Sequence, residues 1–96
     1  MSKEATLDFF VVFDYLEARS QSAAAHWERE ILRTFEHLAE WPHSGHLQEK
    51  TAPAPLRVWP VDGYLVIYHP DTKPLTILAV LHGARDAASI LKDRLP

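Results

Sequence analysis

Between Lys3 and Arg19, apolar side chains recur at Phe9, Val12, Phe13 and Leu16. That i, i+3, i+4, i+7 spacing predicts a helix. Leu7, Phe10 and Val11 add apolar character on another side, so the helix needs cover on more than one side. The run Phe9 to Phe13 also has strand propensity. The pattern breaks at Ala18 to Ser22, where Ser20 or Ser22 suits the N-cap of a second helix. This helix runs from about Ala23 to Trp41. Trp27, Ile31, Thr34, Phe35, Leu38 and Trp41 form its stripe, while Glu28, Arg29, Arg33, Glu36 and Glu40 lie mostly away from it. Pro42 ends the helix and Gly45 releases the chain into a turn. Two helices with so short a joint predict an antiparallel hairpin.

From Leu56 the rhythm shifts to alternation, and three strands are predicted: Leu56–Val61, Tyr64–His69 and Leu75–His82. Asp62-Gly63 is a two-residue hairpin signal, because both central positions of a type I′ turn have positive φ. It sets Val61 opposite Tyr64, Trp59 opposite Val66 and Arg57 opposite Tyr68. Across the Pro70 to Pro74 turn, pairing His69 with Leu75 would set Ile67 against Ile77 and Leu65 against Ala79. The pleat then sorts residues onto two faces. Leu56, Val58, Leu65, Ile67, Leu75, Ile77, Ala79 and Leu81 form the face expected to take the helices. Arg57, Trp59, Val61, Tyr64, Val66, Tyr68, Thr76, Leu78, Val80 and His82 form the other, expected to lie open for a partner. The competing expectation is a last helix folded across that second face. Asp86 suits the cap of this last helix, which holds Ile90, Leu91 and Leu95. The expected fold is α+β: an N-terminal helical hairpin on a small antiparallel three-stranded sheet, closed by a short C-terminal helix.

Composition narrows the function. The chain has 96 residues, 47% of them hydrophobic, which suits one domain (residues 1–96) with one core. It has no cysteine, which removes disulfides, thiolate metal sites and thiol nucleophiles. A net charge of −3 argues against nonspecific nucleic-acid binding. The opening holds Asp8 and Asp14 within its apolar part, which suits neither a signal peptide nor a membrane span. A cytoplasmic protein is expected.

Candidate chemistry is sparse. Arg57, Tyr64, Tyr68, His69, His82, Arg85 and Asp86 are the polar groups on or beside the sheet. Arginine and histidine can neutralise a phosphate and move a proton, and tyrosine can donate a hydrogen bond. The structural alternative has Arg85 paired with Asp86 or Glu17, and His82 bonded to a backbone carbonyl. His43 and His46 form an H-x-x-H pair beyond His37, too few assured ligands for zinc. No phosphate-cradling glycine loop and no G-x-S-x-G elbow occur. Neither a metal nor a cofactor is expected.

In their order and local motifs these elements resemble the ParE-like branch of the RelE/ParE toxin superfamily. The resemblance rests on Ala5, Asp8, Phe9, Val12, Tyr15 and Leu16 in the first helix. It continues with Leu38, Pro42 and Gly45 at the end of the second, then Leu56-Arg57, "GYLVIYH" and "VLHGARD". It spans Glu4 to Leu91. It implies the toxin component of a type II toxin–antitoxin system, in the family's plasmid-stabilisation and growth-inhibition setting. A ParD-like antitoxin would wrap it. ParE-like members poison DNA gyrase; RelE-like members cut mRNA on the ribosome.

Departures from the pattern decide between these readings. The family's leading strand is not expected before the first helix, and its lack would leave a sheet edge bare. Ala79 and His69 stand where relatives place basic residues. The resemblance therefore favours protein contact over catalysis, with no catalytic residue expected. The ribonuclease alternative would use Arg57, Arg85, His82 and Tyr68, and a third alternative is an inactive antitoxin-binding module. Antitoxin contact is expected at Phe10, Val11, Arg57, Trp59, Val61, Tyr64, Val66, Leu78, Val80 and His82. Gly83, Arg85 and Asp86 form the structural motif. Phe10 and Val11 are expected to be covered by the antitoxin or a second copy, giving a homodimer or a hetero-oligomer. No membrane or direct nucleic-acid contact is expected.

Overall fold

A computed structural model describes residues 1–95 of the chain. Its elements follow the order α1 (Lys3–Arg19), α2 (Gln21–Glu40), a 3₁₀ turn (Pro42–Ser44), β1 (Arg57–Val61), β2 (Tyr64–His69), β3 (Thr76–His82) and α3 (Ala87–Lys92). The strands form one antiparallel sheet in the order β1-β2-β3. The fold is thus α+β, with a helical hairpin ahead of a three-stranded sheet. Among the described residues no strand precedes α1. Ser2 instead donates one backbone bond to the Ile77 carbonyl at 2.8 Å.

Local chemistry accounts for the boundaries. The Ser2 hydroxyl accepts the Ala5 N–H and caps α1. Ser20 closes α1 through its own N–H and opens α2 by accepting the Ala23 N–H, so one residue serves both helices. Pro42 cannot continue α2 and starts the 3₁₀ turn. Trp41, expected on the buried stripe, turns outward at this break and is 59% exposed. Asp62 and Gly63 take positive φ values of 47° and 85°, as the type I′ turn requires.

The register of β1 on β2 is the expected one. That of β2 on β3 is not. His69 pairs with Thr76 and Tyr68 with Ile77, but Ile67 pairs with Ala79 and Leu65 with Leu81. A bulge therefore sits at Leu78. It turns Ile77 onto the face carrying Val66 and Tyr68 and removes Leu78 from it.

The two faces are also exchanged relative to expectation. Val61, Val66, Tyr68, Ile77 and Val80 pack beneath the helices, against Ala5, Phe9, Val12, Trp27, Ile31 and Leu38. The face predicted to lie open is thus the main core. Leu56, Val58, Ile67, Ala79 and Leu81 form the second core, covered by Ala52 from the preceding loop and by Ala87 and Leu91 of α3. The last helix does fold over the sheet, but over the side expected to take the hairpin. Both faces are apolar, so hydrophobicity alone does not choose between them. Polar anchors do. The Tyr68 hydroxyl donates to the Pro42 carbonyl at 2.6 Å and accepts the Gly45 N–H at 2.9 Å. Arg57 donates to the carbonyls of His43 and Gly45. These partners follow the end of α2, so the Arg57/Tyr68 face must meet the hairpin. Gly45 is required there, because a Cβ at that position would strike the Tyr68 hydroxyl.

Candidate functional site

A groove of about 440 Å³ opens between α1 and the β3 edge, lined by Asp8, Val11, Val12, Tyr15, Tyr64, Val80, Leu81, His82 and Arg85. Its helical wall comes from the outer side of α1. That helix turns Ala5, Phe9 and Val12 inward and leaves Leu7 (59%), Phe10 (55%), Val11 (67%) and Tyr15 (52%) exposed. Leu7, Val11 and Tyr15 are spaced by four and so share one face. Arg19 lies over the Tyr15 ring, 4.2 Å from its centroid.

The far wall ends in the "HGARD" motif, where the structure assigns each residue a part. The His82 ring stands edge-on to Tyr64, 5.3 Å between centroids. Its Nδ1 accepts the Ala84 N–H rather than bonding a backbone carbonyl. The Gly83 N–H donates to the Gly63 carbonyl at 2.8 Å, and a Cβ on Gly83 would come within 3.1 Å of that oxygen. Gly83 thus lets the β1–β2 turn press against the end of β3. Asp86 caps α3 by accepting from the Ser89 N–H and hydroxyl, and these bonds hold its carboxyl below its ordinary pKa. Arg85 is exposed and pairs with neither Asp86 nor Glu17 among the described residues.

At the groove's other end lies a charge pair that periodicity gave no means of finding. Arg94 grips Asp8 through two bonds of 2.6 and 2.9 Å, with both side chains largely buried. Asp8 raises the Arg94 pKa further above its ordinary value. Asp8 is therefore neutralised where it stands. The basic side chains lining the groove are His82 and Arg85.

The expected contact residues divide accordingly. Val11, Tyr64, Val80 and His82 line the groove, whereas Phe10 is exposed but does not line it. Val61 and Val66 are buried beneath the helices. Trp59 is half-buried against His37, with ring centroids 5.1 Å apart. Arg57 is engaged with loop carbonyls, and Leu78 packs beside the second core. The four candidate ribonuclease residues are divided too. Tyr68 is fully enclosed, and burial raises its hydroxyl pKa. His82 and Arg85 face the groove. His43 meets Asp71 at 3.0 Å, and no cluster of three or more potential metal ligands occurs among the described residues. Nor is any described helix long and apolar enough to cross a membrane.

A small α+β domain with a helical hairpin, a three-stranded sheet and a groove at the sheet edge is the class this geometry defines. Residues 1–87 match the family model described as the ParE toxin of the type II toxin-antitoxin system, parDE. The chain belongs to that family, the toxin side of a pair whose other member is a cognate antitoxin. No curated protein matches the chain.

Proposed function

We propose that this chain arrests growth by protein–protein contact with DNA gyrase, and that its antitoxin silences it by seating a segment in the groove between α1 and β3. Family membership over residues 1–87 is the observation that carries the toxin reading. The arrangement of polar groups favours contact over catalysis. Cleaving RNA needs a base, an acid and charge stabilisation converging on one phosphate. Here Tyr68 is enclosed with its hydroxyl occupied in both hydrogen-bond roles, and Arg57 ties down a loop. Only His82 and Arg85 of that set line the groove. The net charge of −3 adds no general attraction for RNA.

The groove's chemistry describes its occupant. Val11 and Tyr15 offer exposed apolar and aromatic surface over a floor that includes buried Val80, and aromatic residues dominate many interfaces. Arg85 and His82 call for a carboxylate, since an arginine covered without a partner is costly. The fitting segment alternates apolar side chains with an acidic one.

The test is expression of the full chain in bacteria with and without the neighbouring antitoxin. The reading predicts growth arrest, DNA breaks that depend on gyrase, and rescue by the antitoxin. Codon-phased mRNA cuts on ribosomes that vanish in Arg85→Ala would replace it with the ribonuclease reading. Normal growth at confirmed soluble expression would leave an inactive binding module.

A further inference from the structure

The two edges of the sheet are protected in different ways. At β1, His46 and Val58 exchange two backbone bonds of 2.8 Å, and Pro60 offers no N–H. At the outer edge of β3 the backbone of the described residues supplies only the Ser2 bond to Ile77. Beyond it, side chains take over. Asp8 Oδ2 accepts the Val80 N–H at 3.0 Å, and Arg94 Nη1 donates to the Leu78 carbonyl at 3.2 Å. The bulge at Leu78 presents that carbonyl outside the ladder. Arg94 and Asp8 are bound to each other as well, so successive open positions of β3 are capped by one ion pair drawn from opposite ends of the chain.

The strand so covered is apolar, Thr76–His82 with the sequence TILAVLH. A long apolar edge is a template for another strand, and a charged group aimed at it is a recognised way of blocking one. We propose that the Asp8–Arg94 pair is a clamp that keeps β3 from pairing, edge to edge and antiparallel, with β3 of a second copy of this chain. A second copy fits because an antiparallel pair of identical edges is self-complementary about a two-fold axis. Exposed Val11 flanks the same edge, so the pairing would cover apolar surface on both copies. The clamp ends at Val80, and the His82 end of the groove remains for a different partner. This inference rests on the fold and is independent of the toxin reading.

The test is the double variant Asp8→Ala/Arg94→Ala, which removes both charges and strands neither. Its folding is checked by circular dichroism. Sedimentation velocity then measures self-association, and hydrogen exchange follows the Val80 amide across a dilution series. The clamp predicts self-association about tenfold or more tighter than the parent's, from a few new backbone hydrogen bonds per dimer. It also predicts a Val80 amide that exchanges quickly when dilute and becomes protected as dimer forms. A folded double variant that associates no more tightly than the parent overturns the proposal. So does a dimer that leaves the Val80 amide unprotected, because its contact then lies on α1. If the double variant does not fold, the bulkier apolar pair Asp8→Leu/Arg94→Met, which likewise frees the Val80 amide, is read by the same two measurements. Failure of both to fold makes the pair a folding determinant and likewise overturns the clamp.

Discussion

Tyr68→Phe removes a single oxygen and tests the anchor that sets which sheet face meets the hairpin. That oxygen donates to the Pro42 carbonyl and accepts the Gly45 N–H, and the ring around it is fully buried. The variant leaves a carbonyl and an N–H without their partner. A buried group so stranded costs about 1–3 kcal/mol. Pro42 is only half-buried and its bond to Tyr68 only partly so, so the sum stays near the lower part of the range. The expected loss is about 2 kcal/mol. For a domain of this size it lowers Tm by about 10 °C. Scanning calorimetry with chemical denaturation measures both. A Tm within about 2 °C of the parent's would refute the anchor argument, since such a shift is well under 1 kcal/mol. The same variant, studied below its Tm, should keep antitoxin affinity and toxicity, because Tyr68 does not line the groove. If instead toxicity vanished at unchanged stability, Tyr68 would be a working group and the contact reading would fall.

Tyr15→Ala should weaken the antitoxin complex by about tenfold or more by calorimetry, whereas Trp59→Ala, half-buried against His37 outside the groove, should change affinity less. Gly83→Ala should destabilise by about 1–2 kcal/mol in urea titration, because the methyl crowds the Gly63 carbonyl. Acid pH should loosen α3: Asp86 has a lowered pKa, so its stabilising contribution is complete above the unfolded carboxyl value of about 3.9 and disappears as pH falls through the lower folded value. Amide exchange at Ser89 across that window checks it, and Asp86→Asn should flatten the response.

Much of this molecule is legible in the sequence, and the illegible part has physical causes. Spacing in α1 and α2 gave both helices, because each must bury a stripe at period 3.6. Asp62-Gly63 gave the hairpin and the whole register of β1 on β2, because that turn admits few others. The turn Pro70 to Pro74 imposes no such restriction. There the Thr72 hydroxyl accepts the Thr76 N–H, pairing begins at Thr76, one residue later than expected, and the bulge at Leu78 shifts the register by one residue more. The choice of face was hidden because Val66 and Ile67 are equally apolar neighbours pointing opposite ways. What separates them is where the Tyr68 hydroxyl and the Arg57 guanidinium find carbonyls, a long-range fact. Phe10 and Val11 were readable as surplus apolar surface on α1, and they remain exposed. Tyr15 appeared in the family pattern, and its place in the groove emerged only when α1 met β3. Asp8 and Arg94 were unreadable as a pair, since nothing local links positions so far apart in the chain.

The central claim is action on gyrase by contact, switched off by an antitoxin in the groove. Purified gyrase, supercoiled plasmid and the purified full chain test it directly, with antitoxin added to a parallel series. The account predicts accumulation of gyrase-bound cleaved DNA in proportion to the chain, abolished when antitoxin is equimolar and restored when the antitoxin's groove-binding acidic residue is replaced. Gyrase that supercoils and religates normally in the presence of excess folded chain would contradict it.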